Sequence, residues 1–320
     1  MNDRTNLGIL IGSAGLSVDV SNVVIEAAGG RNINFVISGG GSRFFVKRYR
    51  RSLIEFQSIF SRVHAISSVA QGVAVAPTWT DLESRTSIYP YIEGDTLSSA
   101  LLLGNSEVRA EILTECLSAL NVIHNAGSLA SKLLPSNPPW ITRLLLPTPS
   151  IMKHCSSSQL DVIRYIQSKP KIYNYMLHLQ HSWTADVPIH ADMRAENVLV
   201  SPHGIRLIDW EDAQMGDSDW DVGGIQSALL ISWLQSVPPD VLRGSSGELG
   251  TAIKAKDMTK LTNICRSFAR DIVRFEIMTI ANLVKCAFEA GERNVEMSAA
   301  QLLILQVATN ISLRGLGDFI

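Results

Sequence analysis

One stretch limits what this chain can fold into more than any other: VPIHADMRAENVLVSPHGIRLIDWEDAQMGDSDWDVGG, residues 187–224. The runs Asn197-Val198-Leu199-Val200 and Ile205-Arg206-Leu207-Ile208 are short, apolar and rich in β-branched residues, so they read as strands. Between them, Ser201-Pro202-His203-Gly204 is turn chemistry. A hairpin closed on that turn holds Asp192 and Asn197 on the loop leading into it and Asp209 at its far end. Closing the hairpin brings those ends together.

Two carboxylates and an amide so placed suit the transfer of a phosphoryl group from a metal-bound nucleotide. The transfer needs a carboxylate to orient the attacking hydroxyl and accept its proton. It also needs hard oxygen ligands for magnesium bridging the phosphates. His190-x-Asp192-x(4)-Asn197, followed by Ile208-Asp209-Trp210, resembles the catalytic loop and metal-binding residues of the protein-kinase-like fold. The Ile-Asp-Trp-Glu form, with Gly216-Asp217 and Trp220-Asp221 downstream, looks more like the aminoglycoside phosphotransferase and choline kinase branch.

That resemblance implies an α+β, two-lobed protein-kinase-like fold. Residues 1–92 would form an N-lobe built on an antiparallel sheet, and residues 93–320 a mostly helical C-lobe, with the nucleotide at their junction. ATP and Mg2+ are the implied cofactors. Asp192 would be the general base. Arg194 would stabilise charge on the transferring phosphoryl oxygens, unless it pairs with Glu196. Asn197 and Asp209 would be the metal ligands. His190 and Asp221 would support the loop, Asp221 by accepting backbone N–H groups and by capping the helix after it. Antibiotic-type relatives carry His-Gly-Asp where this chain has His190-Ala191-Asp192, a change that fits if residue 191 keeps a negative φ.

The rest of the composition is compatible with this. Formal net charge is −2 over 320 residues, so no basic field points to nucleic acid or to an anionic membrane as partner. Charged residues make up 18%, below the roughly 25% usual for soluble domains, which hints at surface buried against a partner protein. No uninterrupted apolar segment reaches the ~18 residues of a membrane span, and the N-terminus lacks a signal-peptide layout. Cys116, Cys155, Cys265 and Cys286 lie far apart, which suggests reduced, buried thiols in a cytoplasmic protein.

Earlier in the chain, Gly29, Gly30 and Asn32 separate two candidate strands, and a glycine pair there lets backbone N–H groups approach phosphate oxygens. The second cluster, Ser38-Gly39-Gly40-Gly41-Ser42, reads as a plain hairpin turn. On the strand Arg43-Phe44-Phe45-Val46-Lys47-Arg48-Tyr49 a period of two puts Phe45, Lys47 and Tyr49 on one face. The resemblance assigns Lys47 to the α- and β-phosphates and Phe45 to the roof over adenine. Residues 52–67 read as a helix, on which Glu55 is the acid available to pair with Lys47, with Gln57 as the alternative occupant. Two strands are expected at 73–77 and 86–89. Pro90-Tyr91-Ile92 then resembles the hinge, with the Pro90 carbonyl and the Ile92 N–H facing adenine. The proline-rich residues 128–158 break pattern and read as an insertion or lid. Helices follow at 225–237, 257–290 and 299–313.

The acceptor is less constrained. Residues 225–256 hold few acids (Asp240 and Glu248), and the helix through Trp233 is apolar, which suits a polycationic sugar poorly. From Asp219 to Pro238 the chain is similar to the phosphotransferases of class V lanthipeptide and thioamitide pathways. That resemblance implies Ser or Thr of a precursor peptide as acceptor, with a partner lyase to eliminate the phosphate. A small-molecule alcohol (an aminoglycoside, choline or another amino alcohol) stays open, as does a nucleotide-binding scaffold for a partner protein.

Overall fold

A computed structural model describes residues 24–28, 32–39, 41–236, 255–292 and 294–319. It forms two compact units that divide between Gly94 and Asp95.

In the first unit, β1 (Val24–Ala28), β2 (Ile33–Gly39), β3 (Ser42–Arg48), β4 (Trp79–Asp81) and β5 (Thr86–Pro90) make an antiparallel sheet in the order β1-β2-β3-β5-β4. Strand alternation divides its side chains. Ile37, Val46 and Ile88 are buried together on one face, with Phe35, Phe44 and Trp79 packed against them. Phe45 and Lys47 take the opposite parity, across from Tyr89 and Ser87. The helix α1 (Leu53–Val69) buries Phe56, Ile59, Val63 and Ile66, and the Phe56 ring lies 5.0 Å from that of Tyr49. The expected strand at 73–77 is instead a turn, with Val73 and Ala74 N–H groups returning to Ala70 O; pairing with β5 begins only at Thr78 and Trp79.

The second unit is mostly helical around two small sheets. β6 (Asp95–Thr96) pairs with β8 (Val198–Ser201), which pairs with β9 (Gly204–Leu207); β7 (Val187–Ile189) pairs with β10 (Gln214–Gly216). The helices begin with α2 (Leu97–Leu103) and α3 (Ser106–His124), then α4 (Pro149–His154), α5 (Ser157–Gln167) and α6 (Pro170–Ser182). After the sheets come α7 (Ser218–Ser236), α8 (Ala255–Phe268), α9 (Ile272–Ala290), α10 (Ala299–Arg314) and α11 (Leu316–Phe319). Helix α7 starts seven residues before the expected position, and every side chain from Ser218 to Leu230 is buried. Its two glycines permit this. A Cβ on Gly223 would meet the Met278 and Thr279 backbone at 2.9 Å, and one on Gly224 would meet Met193 O at 2.5 Å.

Two expectations are corrected here. The run 257–290 is two helices, because the Asp219 carboxylate accepts from the N–H groups of Arg270 (2.8 Å) and Asp271 (3.1 Å). Asp271 then caps α9 through Arg274 N. Residues 128–158 are not a lid over the unit but part of its core: Leu133, Ile141, Leu144 and Leu145 are buried, and Met215 pairs with the backbone of Leu134 and Ser136.

Candidate active site

The loop between β7 and β8 is held almost wholly by side chains from elsewhere in the second unit. His190 is fully buried against Trp210, with ring centres 4.4 Å apart. Its Nε2 lies 2.8 Å from Ile208 O, which can only accept, so the ring proton sits on Nε2. Nδ1 then accepts from Asp192 N at 3.4 Å. The ring thus ties the start of the loop to the end of β9.

Three alternating acids at the start of α7 divide the remaining support between them. Asp217 caps the helix, its Oδ1 accepting from Asp219 N at 3.0 Å, and it also pairs with Arg274. Asp219 holds the break before α9. Asp221 accepts from His190 N (2.7 Å), Ala191 N (3.0 Å) and His124 Nε2 (3.0 Å). Asp221 therefore braces the loop as expected of its acceptor chemistry. It is not the cap, because the helix has already begun at Ser218. Next to it, Trp220 Nε1 donates to Ala191 O at 2.9 Å. Both sides of Ala191 are clamped, and its φ is 69°. The condition under which alanine would fit without cost is not met: the fixed N–H and C=O directions force the left-handed conformation that glycine takes freely.

Asp192 sits between two cations. Its Oδ1 accepts from Lys285 Nζ at 2.5 Å, and its Oδ2 from Arg194 Nη2 at 2.5 Å and Nε at 3.1 Å. Burial alone would raise the Asp192 carboxyl; Lys285 and then Arg194 outweigh it and hold the group well below the ordinary carboxylate range. Arg194 does not pair with Glu196. Its second carboxylate is Glu289, 3.6 Å away on α9. Asn197 Nδ2 donates to Asp192 O at 2.8 Å, and Ile208 N donates to Asn197 O at 3.0 Å. The hairpin register, Val198 opposite Leu207, therefore continues to its open end. Asp209 is the next residue after Ile208, with φ 64°, a conformation Asp tolerates better than most residues.

In the first unit, Lys47 is buried, with Nζ 5.1 Å from the Tyr49 ring centre. Phe45 is half-buried beside it on the sheet. Glu55 does not partner this lysine. It is exposed in the first turn of α1, where Oε2 accepts from Ser52 N (2.9 Å) and Oγ (2.7 Å) in a capping box. Pro90 ends β5 opposite Phe44, and Ile92 follows outside any helix or strand, with Tyr91 N donating to Arg43 O. Asn32 Oδ1 accepts from Arg50 N at 3.2 Å. Gly29 and Gly30 lie outside the described residues.

Residues 24–248, more than half of the chain, match the model of the phosphotransferase enzyme family. The chain belongs to this family. No curated protein matches this phosphotransferase in sequence. Its fold is similar to that of choline kinase LicA from Streptococcus pneumoniae, at 15% identity and TM-score 0.62 over 97% of this chain and 98% of that one. It is similar also to aminoglycoside phosphotransferase APH(4)-Ia, at 15% identity and TM-score 0.60 over 97% of each chain. A choline kinase from Cryptosporidium parvum Iowa II matches at 13% identity and TM-score 0.60, over 96% of this chain and 95% of that one. The phosphotransferase thus has the kinase-like fold, an antiparallel sheet in its first unit and helices dominating the second.

Lys285 and Glu289 escaped the sequence reading, and Asp217, Asp219 and Trp220 entered it only as motif residues without a role. Lys285 did carry a signal. It is the lone charge in the apolar run from Ile277 to Phe288, and a buried lysine requires a partner.

Proposed function

We propose that this phosphotransferase moves the γ-phosphoryl group of magnesium-bound ATP to an alcohol, and that the alcohol is a Ser or Thr side chain of a precursor peptide. The observation that carries the reading is the single cluster of Asp192, Arg194 and Asn197 at the open end of the hairpin that Asp209 leaves. In this reading the first unit is the nucleotide-binding lobe, with Lys47, Phe45 and the Pro90–Ile92 segment as its contacts, and the second unit binds the acceptor. Asp192 accepts the hydrogen bond of the attacking hydroxyl and fixes its direction. A carboxylate held this acidic is a weak base, which suits a transition state in which the proton moves late. Asn197 donates through its amide nitrogen, so its carbonyl oxygen is left to act with Asp209 as a ligand. Two protein oxygens are the number Mg2+ takes when phosphates and water complete its shell. Bound there, the ion would supply positive charge to offset the negative charge of the phosphates.

The charges near Asp192 support an uncharged acceptor group. Lys285, Asp192, Arg194 and Glu289 cancel among themselves, so these four give a polycation no net attraction. Leu134, Trp140, Leu146 and Met152, exposed between α3 and α5, offer apolar contacts to a peptide. A small-molecule alcohol is the second reading, favoured by structural neighbours that include choline kinases and an aminoglycoside phosphotransferase complexed with ADP and hygromycin B. To test both, the protein is incubated with Mg2+, ATP and a Ser/Thr-rich precursor peptide, and in parallel with choline and an aminoglycoside panel. A peptide mass gain of one phosphate is expected, reduced about 100-fold or more in Asp192→Ala. Phosphate on a small molecule alone would select the second reading. Equal product from wild type and variant would overturn both.

A further inference from the structure

Lys285 and Glu289 stand one turn apart on α9, and Asp192 and Arg194 stand two residues apart on the loop. The two pairs meet in alternating order: Lys285 to Asp192 at 2.5 Å, Asp192 to Arg194 at 2.5 Å, Arg194 to Glu289 at 3.6 Å. A helical i, i+4 pair presents its charges to one side, and here that spacing matches the spacing of the two loop residues. The Lys285 side chain is 9% exposed, so its ammonium has given up most of its hydration for this contact. A buried lysine costs several kcal/mol unless paired, and its partner here is the residue assigned to orient the acceptor.

We infer that Lys285 is a positioning residue for phosphoryl transfer: from α9 it holds Oδ1 of the Asp192 carboxylate and so fixes the orientation in which that carboxylate meets the acceptor hydroxyl. This rests on the phosphotransfer reading above. The reason for a second cation is geometric. Arg194 lies on the same loop as Asp192 and reaches α9 only through Glu289 at 3.6 Å, so its hold on the carboxylate relative to the helical body is indirect. Lys285 holds it directly, from a helix that is anchored independently: Asp271 caps its start, and Phe275, Ile277, Met278 and Ile280 are buried. The Glu289 contact restrains Arg194 from the same helix, so the loop is referenced to α9 at two points.

The test compares wild type with Lys285→Met, Lys285→Arg, Asp192→Asn and the Lys285→Met/Asp192→Asn double variant. ADP affinity, kcat and KM for the phosphorylated acceptor are measured on each. Lys285→Met is expected to lose on the order of 100-fold in kcat, the scale of a misplaced reacting group, with ADP affinity unchanged. Lys285→Arg should recover roughly tenfold of that loss, about one decade of barrier. In the Asp192→Asn background the Met substitution should cost nothing further, since a residue acting through Asp192 has no effect once Asp192 is gone. Unchanged kcat in Lys285→Met overturns the inference. So does a loss of ADP binding parallel to the loss of turnover, or full additivity in the double variant.

If wild type transfers phosphate to no acceptor, the phosphotransfer reading fails by itself, and labelling decides the positioning claim. Reductive methylation with 13C-formaldehyde should leave Lys285 protected in wild type and modify it readily in Asp192→Asn. Equal modification in both proteins overturns the pairing.

Discussion

Ala191 holds a left-handed backbone, φ 69°, between two residues that the site depends on. For an L-residue that conformation costs roughly 1–2 kcal/mol, and the hydrogen bonds from its N–H to Asp221 and from Trp220 to its C=O hold it there. Ala191→Gly removes the strain but adds unfolded-state entropy worth about 0.5–1 kcal/mol. A net stabilisation of about 0.5–1 kcal/mol is therefore expected in urea unfolding. Destabilisation would mean that the loop carries no strain. At this scale the spacing of His190, Asp192, Asn197 and Asp209 was legible because the hairpin that gathers them is local. Lys285 was not, because it meets Asp192 across 93 positions and no local pattern encodes such a pairing. Glu55 was misplaced for the opposite reason: Ser52-x-x-Glu55 is a complete local capping box, and the local bond took the carboxylate.

Among the elements, the segment before α5 shows how composition misleads. Prolines and a serine run marked 128–158 as an insertion, yet the short turn Trp140–Leu145 buries Ile141, Leu144 and Leu145. Six residues are too few to display a helical period, so the apolar side chains gave no signal of burial. Leu144→Ala is expected to cost about 2–5 kcal/mol, the range for a fully buried leucine, measured by chemical denaturation. A cost below about 1 kcal/mol would restore the lid reading, since surface substitutions fall within ±0.5 kcal/mol. The break at Ala269–Asp271 was hidden in the same way. Helical periodicity runs through it, and the Asp219 carboxylate, 51 positions earlier, takes the N–H groups at the break together with the local Asp271 cap.

Across the whole molecule, paired and buried carboxylates govern the response to pH. Asp192 is held below its ordinary range in the folded state, so its contribution to stability is present above the unfolded carboxylate pKa of about 3.9. That contribution is lost as pH falls from there through the folded value. Asp186, lowered mainly by its hydrogen bond with Arg270, acts in the same direction, whereas Asp219, raised by burial, acts against it. The stability gap between wild type and Asp192→Asn is therefore expected to be wide at pH 7 and to narrow steadily below about pH 4, read from urea midpoints. A gap that stays constant into acid would show that the carboxylate charge contributes nothing. Among the described residues no helix is long and apolar enough to cross a membrane.

By itself the sequence determined the elements whose signals are local: most strands of the first unit, the hairpin that follows Asn197, the capped helices and the spacing of acids and amide along one loop. Alternation, turn residues and caps act within a few residues, so they can be read without a fold. Tertiary structure alone decided which charges meet. Only packing α9 against the loop sets Lys285 and Glu289 beside Asp192 and Arg194, and only the close approach of Gly224 to Met193 lets α7 bring Asp221 beneath it. A buried charge is stable only beside its partner, and its partner is chosen by where the chain folds back.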